Sequence, residues 1–573
     1  MRTRRTLEAT LLSSLLSFPG VLLAQAPAAV PHVAGSVETS ILELEIVVTD
    51  RDGRRVTGLQ AADFEVRIGG KATAIASFFE RRPTPVAAPP GAEAAVPAAA
   101  PDAAPTAPAA SRPPRHVVLF VDRLQLIEKW KADATFDGLR AVLRQTVVAP
   151  GDDAMIVTWN RSVGSVVPFT SDVAAIERVL AREEKLCRRP LETDSVRRQL
   201  EEEAAWFRSL PTSSVSSGVE VSQRAAAAEA YAQMRAKSNA LKAVFSTLGG
   251  LPGRKIVVHA SHRFSDLAGL EFFLTGPVMY GSIPGDAREF NAHGIVESVA
   301  EAANANGVTL YTMFPPGWPD EAAVVRADAS STSNPKINGP VEGARGDMIV
   351  MNESAALEPV ALKTGGAYAL GYKEARELAP RIAADLDSAY SIGVEAPPGR
   401  EGRPLAVAVR TKDRALKVRA RRTVVSKTPE ERVRDRVLAN LFRPERERRL
   451  PVALESSKAE TTKGKTTVSL TLSVPVARLA RTPSPKGESG AFSVFVASAS
   501  SDGSFSEVTR QRQPFDVPRA DAAHADGGHF TYEVPVVVAS DEARISVGVW
   551  DEVGREAGFL VVDVAGGKAT LRR

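Results

Sequence analysis

The chain has a single cysteine, Cys187, in 573 residues. One thiol forms no intrachain disulfide, so stability must come from packed cores. Histidine is scarce as well, with seven in all, and no His-Glu-x-x-His places two of them on one helix face. No Gly-x-Ser-x-Gly elbow and no Gly-x-x-x-x-Gly-Lys loop is present, so the familiar zinc-hydrolase, serine-hydrolase and phosphate-cradling motifs are all missing. Charge of one sign is lacking too: 72 Lys and Arg face 68 Asp and Glu, for a net +4. Residues 1–26 contribute +2 of that, from Arg2, Arg4 and Arg5 against Glu8. So even a balance gives no electrostatic reason to expect nucleic acid as a partner. Beyond the first residues no apolar run is long enough to cross a membrane.

What is present begins with an export pattern. Arg2, Arg4 and Arg5 precede the apolar stretch from Leu11 to Leu23, which Pro19-Gly20 interrupts, and Ala24-Gln25-Ala26 offers small residues where a signal peptidase cuts. Residues 1–26 are therefore expected to be a signal peptide, and the protein to be exported to the periplasm or beyond the cell. Residues 37–82 read as a small β unit. Ile41-Leu-Glu-Leu-Glu-Ile46 alternates as a half-buried strand should, Asp50-Arg-Asp52-Gly53 is turn chemistry, and Phe64-Glu-Val66-Arg-Ile68 alternates again. Asp50 and Asp52 lack the rest of a calcium loop and are assigned to the turn. Residues 83–114 are an Ala/Pro-rich linker with little to bury.

Residues 115–422 alternate strand and helix signals, the pattern of a mainly parallel α/β sheet with helices on both faces. Strands are expected at 116–122, 154–159, 255–260, 308–313 and 367–370. Helices are expected around 127–148, 171–185, 190–208, 221–248, 287–306, 348–363 and 373–389, with Gly249-Gly250 as a stop. Residues 314–346 read as an insertion and 390–422 as a β extension. Residues 423–450 read as a charged, solvated helical connector opened by the capping box Thr428-Pro429-Glu430-Glu431. Residues 451–573 read as a β-sandwich, with strands near 467–474, 492–497, 530–538, 545–550 and 559–562.

Several of these segments carry a resemblance. His116-Val-Val-Leu-Phe-Val-Asp122 delivers a carboxylate to the end of a buried strand. Upstream stand Val47-Val48-Thr49-Asp50-Arg-Asp52-Gly53 and Asp63-Phe64. Downstream come Pro168-Phe169-Thr170-Ser171-Asp172, Pro252-Gly253-Arg254-Lys255-Ile256-Val257-Val258 and Thr364-Gly365-Gly366-Ala367-Tyr368. In this order they resemble the von Willebrand factor type A-related exported proteins of acidobacteria and similar bacteria, over about two thirds of the chain. The resemblance implies an α/β binding domain whose first strand opens an Asp-x-Ser-x-Ser metal motif. Here both serine positions are leucine, Leu124 and Leu126. Asp122 is the one remaining metal candidate, and a lone carboxylate beside Arg123 is a poor site for a hard cation. An internal ion pair or a helix N-terminal contact is the expected role of Asp122 instead.

The expectation is a non-catalytic interaction protein that takes a protein or other envelope macromolecule as partner, without metal or other cofactor. The loops after Asp122, Trp159 and Ala260, together with 314–346, are the candidate contacts, because ligands meet the C-terminal ends of such strands. Three alternatives stay open. One is metal-dependent adhesion through Asp122, Ser261 and Asp266. A second is an envelope hydrolase that gathers His259 or His262 with a carboxylate and a hydroxyl. The third is a plain scaffold. His259 and His262 lie three residues apart, which on a strand puts them on opposite faces, so they are not read as a metal pair. Cys187, flanked by Lys185 and Arg188, is read as a partly buried helix residue.

Overall fold

The computed structural model describes residues 41–81, 113–123, 129–187, 217–261, 264–274, 283–314, 348–387, 390–444, 449–462, 465–501, 504–538, 542–566 and 568–572. The expected signal peptide, nearly all of the 83–114 linker, helix 190–208, Leu124, Leu126, His262 and the 315–346 part of the insertion lie outside them.

The chain is multidomain, with one mixed sheet built mainly of parallel strands and several antiparallel sheets. Strands β1 (Ile41–Thr49) and β2 (Phe64–Ile68) form as the alternation predicts, and β3 (Lys71–Ala72) and β4 (Ile75–Glu80), which it does not mark, follow them. Leu42, Leu44 and Ile46 point inward while Glu43 and Glu45 point away. Gly53 takes φ +82, Asp50 Oδ1 accepts from Arg54 N at 2.8 Å, and Asp50-Arg-Asp-Gly closes the expected turn.

The chain then enters an α/β domain. Strands β5 (Arg115–Asp122), β6 (Asp153–Trp159), β7 (Val163–Thr170), β8 (Arg254–Ala260), β9 (Val308–Phe314) and β10 (Tyr368–Leu370) make one sheet in the order β10-β9-β8-β5-β6-β7. All pairings are parallel except β6 with β7. Every residue of β5 is buried, as a strand covered on both faces requires. Val118 and Phe120 face one apolar cluster, and Val117, Leu119 and Val121 face the other. Helices α1 (Lys129–Thr146), α2 (Val173–Cys187) and α6 (Tyr372–Asp387) cover the second face. Helices α3 (Ser217–Gly249), α4 (His293–Ala305) and α5 (Leu357–Lys363) cover the first. Strand β7 was not expected: Pro168-Phe-Thr-Ser-Asp reads as a lead into helix α2. It serves both ends, since an edge strand tolerates Pro168 and Asp172 Oδ1 accepts from Ala175 N at 2.9 Å.

Strands β11 (Tyr390–Glu395), β12 (Pro404–Thr411), β13 (Lys417–Ala420) and β14 (Thr423–Val425) return to the first β unit. The sheets run β13-β1-β11-β4 and β14-β12-β2-β3, and Leu44, Ile46, Phe64, Val66, Ile392 and Val394 share one core. Sequence alone separates 37–82 as its own unit and attaches 390–422 to the α/β domain. The pairing instead joins the two into one β domain, into which the α/β domain is inserted. Tyr390 ties them further, its hydroxyl donating to Val56 O at 2.9 Å and accepting from Leu59 N at 3.2 Å.

Helix α7 (Pro429–Phe442) forms with its capping box, Thr428 Oγ1 accepting from Glu431 N at 3.1 Å and Glu431 Oε2 from Thr428 N at 2.7 Å. It is not a solvated connector. Val433, Val437, Leu438, Leu441 and Phe442 are buried in the same cluster as Leu241 and Phe245 of α3. Phe495 and Phe559 of the C-terminal strands join that cluster. Gly250 permits the approach, because a Cβ there would lie 2.5 Å from Asp435 O. Arg432 and Arg434 are exposed, whereas Arg436 donates to Gly250 O and Arg443 Nε donates to Asp153 Oδ2 at 2.7 Å. We expect Leu441→Ala to cost about 2–5 kcal/mol in urea denaturation, as for other buried leucines. A change near zero would return the helix to a connector.

The C-terminal strands are β15 (Ala453–Thr462), β16 (Lys465–Pro475), β17 (Thr482–Ser484), β18 (Gly487–Ser500), β19 (Thr509–Pro518), β20 (His529–Val538), β21 (Ala543–Asp551), β22 (Ala557–Ala565) and β23 (Lys568–Leu571). One antiparallel sheet runs β15-β16-β20, the other β17-β18-β21-β22-β23 with β19 also on β18, and a single core lies between them. The five expected strands are the apolar ones. The unexpected β15 and β19 are polar and largely exposed, so hydrophobic patterning does not mark them.

Candidate functional site

Strand β5 ends on Asp122, and β8 ends one residue before Ser261. Both continue the face that carries Phe120 and Val257, so both point toward α3. Helix α3 turns Met234, Leu241, Val244, Phe245 and Leu248 inward at helical spacing, and Lys237 stands within that stripe. Its ammonium donates to Asp122 Oδ2 at 2.7 Å and to Ser261 Oγ at 3.0 Å, while Ser261 Oγ donates to the same Oδ2 at 2.9 Å. The Lys237 nitrogen also lies 5.7 Å from the centre of the Phe264 ring, within cation–π range. Lys237 is 5% exposed, Asp122 and Ser261 1% each. A charged pair so enclosed is held by its own contacts rather than by water.

The arrangement places a covalently attached cation against the strand-end carboxylate. A second cation on Oδ2 meets the ammonium at van der Waals range, where like charges repel strongly in a low dielectric. Asp122 Oδ1 is buried without a hydrogen-bond partner, a single oxygen where a hard divalent ion wants several. Of the non-standard metal trio, Asp122 and Ser261 meet. Asp266 is not part of their hydrogen-bonded group; its backbone carbonyl accepts from Ala292 N at 2.7 Å. Among the described residues no three His, Cys, Asp or Glu side chains are grouped to hold a metal ion.

His259 lies on the same face but does different work. It is fully buried between Phe120 and Phe264, with ring centres at 5.5 and 5.3 Å, and neither nitrogen has a hydrogen-bond partner. Burial pushes its pKa well below the usual histidine range, and Lys237 adds to this. It packs as a neutral ring and joins no hydroxyl or carboxylate. The unfolded chain takes up a proton here below about pH 6.5 and the folded chain does not, so stability falls as pH is lowered. A His259→Phe variant should lose less stability between pH 7 and pH 5 in denaturant titrations; an unchanged pH slope would show that His259 is not held neutral.

Cys187 ends helix α2 in the cluster beneath the other face. Burial pushes its thiol up to about 12, partly opposed by Arg123 and reinforced by Glu183. The neighbouring basic residues therefore do not activate it. We expect the native protein to resist thiol alkylation at pH 8 and to react once unfolded; rapid native labelling would contradict the placement.

Asp122, Trp159, Gln233, Lys237, Ser265 and Glu271 line a cleft of about 60 Å³ above the ion pair. Small-molecule sites usually span some 300–1,000 Å³, so this cleft is far too small to enclose a substrate. It is a shallow feature of the edge where α/β sheets meet ligands. Sequence reasoning missed Lys237, although the sign was there: one lysine in an otherwise apolar stripe of a long helix. No helix among the described residues is long and apolar enough to cross a membrane. No family model matches the chain, and no curated protein matches it.

Proposed function

We propose that this chain is an exported, non-catalytic interaction protein whose α/β domain is of the von Willebrand factor type A kind and works without metal. The observation that carries the reading is the Lys237 ammonium on Asp122 and Ser261. It occupies the end of the first parallel strand, where the resemblance implies a metal, and it leaves Leu124 and Leu126 no ligand role to fill. Recognition then rests on shape, apolar anchors and polar groups at the C-terminal edge of the sheet, around Trp159, Gln233 and Glu271. The partner is a protein or another macromolecule of the envelope. Immobilised protein should retain this partner from envelope extracts in the presence of a chelator and lose it when Glu271→Arg alters the cleft rim. Retention that requires divalent ions, or that survives the rim change, contradicts the reading.

One contact favours a second reading, a hydrolase. Ser261 Oγ and Lys237 Nζ are 3.0 Å apart, the separation of a Ser–Lys nucleophile pair. Two features weigh against it. Lys237 donates its protons to Asp122 and Ser261 rather than accepting one, and the cleft above, at about 60 Å³, is far smaller than a usual small-molecule site. A fluorophosphonate serine probe should leave Ser261 unlabelled; labelling that disappears in Ser261→Ala would favour the hydrolase.

A further inference from the structure

At the opposite end of the central sheet a cavity of about 180 Å³ lies between the α/β domain and the first β domain. Its wall carries three carboxylates, Glu43, Glu45 and Asp385, and each already has partners. Asp385 is held by Arg55, Arg419 and the Tyr311 hydroxyl. Glu45 pairs with Arg81 at 2.9 Å and Arg254 at 2.5 Å. Glu43 accepts from Ser391 Oγ at 2.6 Å and lies 3.6 Å from Arg81.

Lys255 and Arg421 line the same cavity, and among the described residues neither has a carboxylate within ion-pair distance. Lys255 Nζ donates to Leu251 O at 3.2 Å, and Arg421 Nη2 reaches Gly307 O at 3.5 Å. The charged neighbours beyond them, Lys427 and Asp435, pair with each other. A Cβ on Gly307 would sit 3.4 Å from both Lys255 Nζ and Arg421 Nη1. Two cations thus flank one point, and a glycine at φ +66 leaves that point open.

We propose that this cavity binds a small oxyanion, of the sulfate, phosphate or carboxylate type, held between Lys255 and Arg421. Like charges set together away from bulk water repel, and an anion between them converts that repulsion into two charge-assisted hydrogen bonds. Burial pulls the Lys255 ammonium down to about 8; Arg421 and Lys427 add to this, while Asp435 and Glu43 oppose it. Glu45 and Glu43 attract Arg421 across the cavity, but neither forms an ion pair with it; Arg81 holds both acids, and Arg254 also holds Glu45.

Calorimetric titration of the whole protein tests this, with sodium sulfate and sodium acetate in separate arms at constant ionic strength. One arm should give saturable one-site heat at pH 7, and which arm does so separates a tetrahedral from a carboxylate ligand. Affinity should fall about tenfold or more in Lys255→Met and in Arg421→Gln, the loss of one charged hydrogen bond. Neither substitution strands a buried carboxylate, so both variants are expected to fold. The unaltered protein supplies an independent arm: affinity should also weaken between pH 7 and pH 9, where Lys255 loses its proton and both probe anions keep their charge. No saturable heat with either anion, affinity unchanged in both variants, or affinity indifferent to this pH rise each overturns the proposal.

Discussion

Replacing Lys237 with methionine is expected to destabilise the protein by about 3–5 kcal/mol, the cost of leaving a buried charge without its partner. Methionine keeps the length and most of the packing of the lysine stem, so the loss reports the charge rather than a cavity. Asp122 is 1% exposed and its Oδ1 already lacks a partner, so the orphaned carboxylate has no route to water. A buried carboxylate without its counter-ion favours the neutral form, so the stability gap between variant and parent should narrow as pH is lowered toward 5; His259 is present in both proteins and does not set that gap. The double variant Asp122→Asn with Lys237→Met removes both charges and should regain much of the loss, because replacing a buried pair costs far less than breaking it. Urea denaturation at pH 7 and pH 5 reads all three proteins. A single variant as stable as the parent would mean that the ion pair is solvated and that Lys237 is free to leave Asp122.

Asp385→Ala should have an effect of similar size, about 3–5 kcal/mol, by the same reasoning applied between domains. Asp385 sits on α6 of the inserted α/β domain, and its side chain is 2% exposed. Arg55 and Arg419 reach it from the first β domain, and Tyr311 donates to its Oδ2 at 3.0 Å. Burial already pulls the Arg55 guanidinium down to about 10, with Arg419 adding to the effect. Without Asp385 both cations stay in a crowded positive region that also holds Lys255 and Arg421. Calorimetry should show a lower melting temperature and a broadened transition as the β domain and the α/β domain lose their clamp. A single sharp transition at the parent temperature would show that apolar contacts alone join the two.

These two sites were not equally legible. Strand β5 announces itself: eight consecutive residues that suit a doubly covered parallel strand, ending in a carboxylate. The long helix α3 is equally plain from its alanines, and its lysine at position 237 breaks an apolar stripe that periodicity alone would fill. What periodicity does not carry is a partner. Nothing in Glu43 or Ile392 declares that β1 pairs with β11 more than three hundred residues away, because the ladder is made of backbone groups common to all residues. Patterning therefore divides the first β domain at the linker and leaves its later strands with the α/β domain, whereas the ladders pair them with β1 and β2. Helix α7 misled for a related reason. Its many arginines look solvated until the packing of Val433, Val437 and Leu441 against two domains is seen. Polar strands such as β15 and β19 escape because few of their side chains, Leu454, Ala459, Phe515 and Val517 among them, reach the core while their backbones complete a sheet.

The central claim is that a lysine of the chain itself supplies the cation at the end of β5. Calorimetric titration of the unaltered protein with Mg²⁺, Mn²⁺ and Ca²⁺ tests it most directly. No saturable heat is expected with any of the three, in the parent and in Asp122→Ala alike. Tight stoichiometric binding by the parent, abolished by Asp122→Ala, would contradict it.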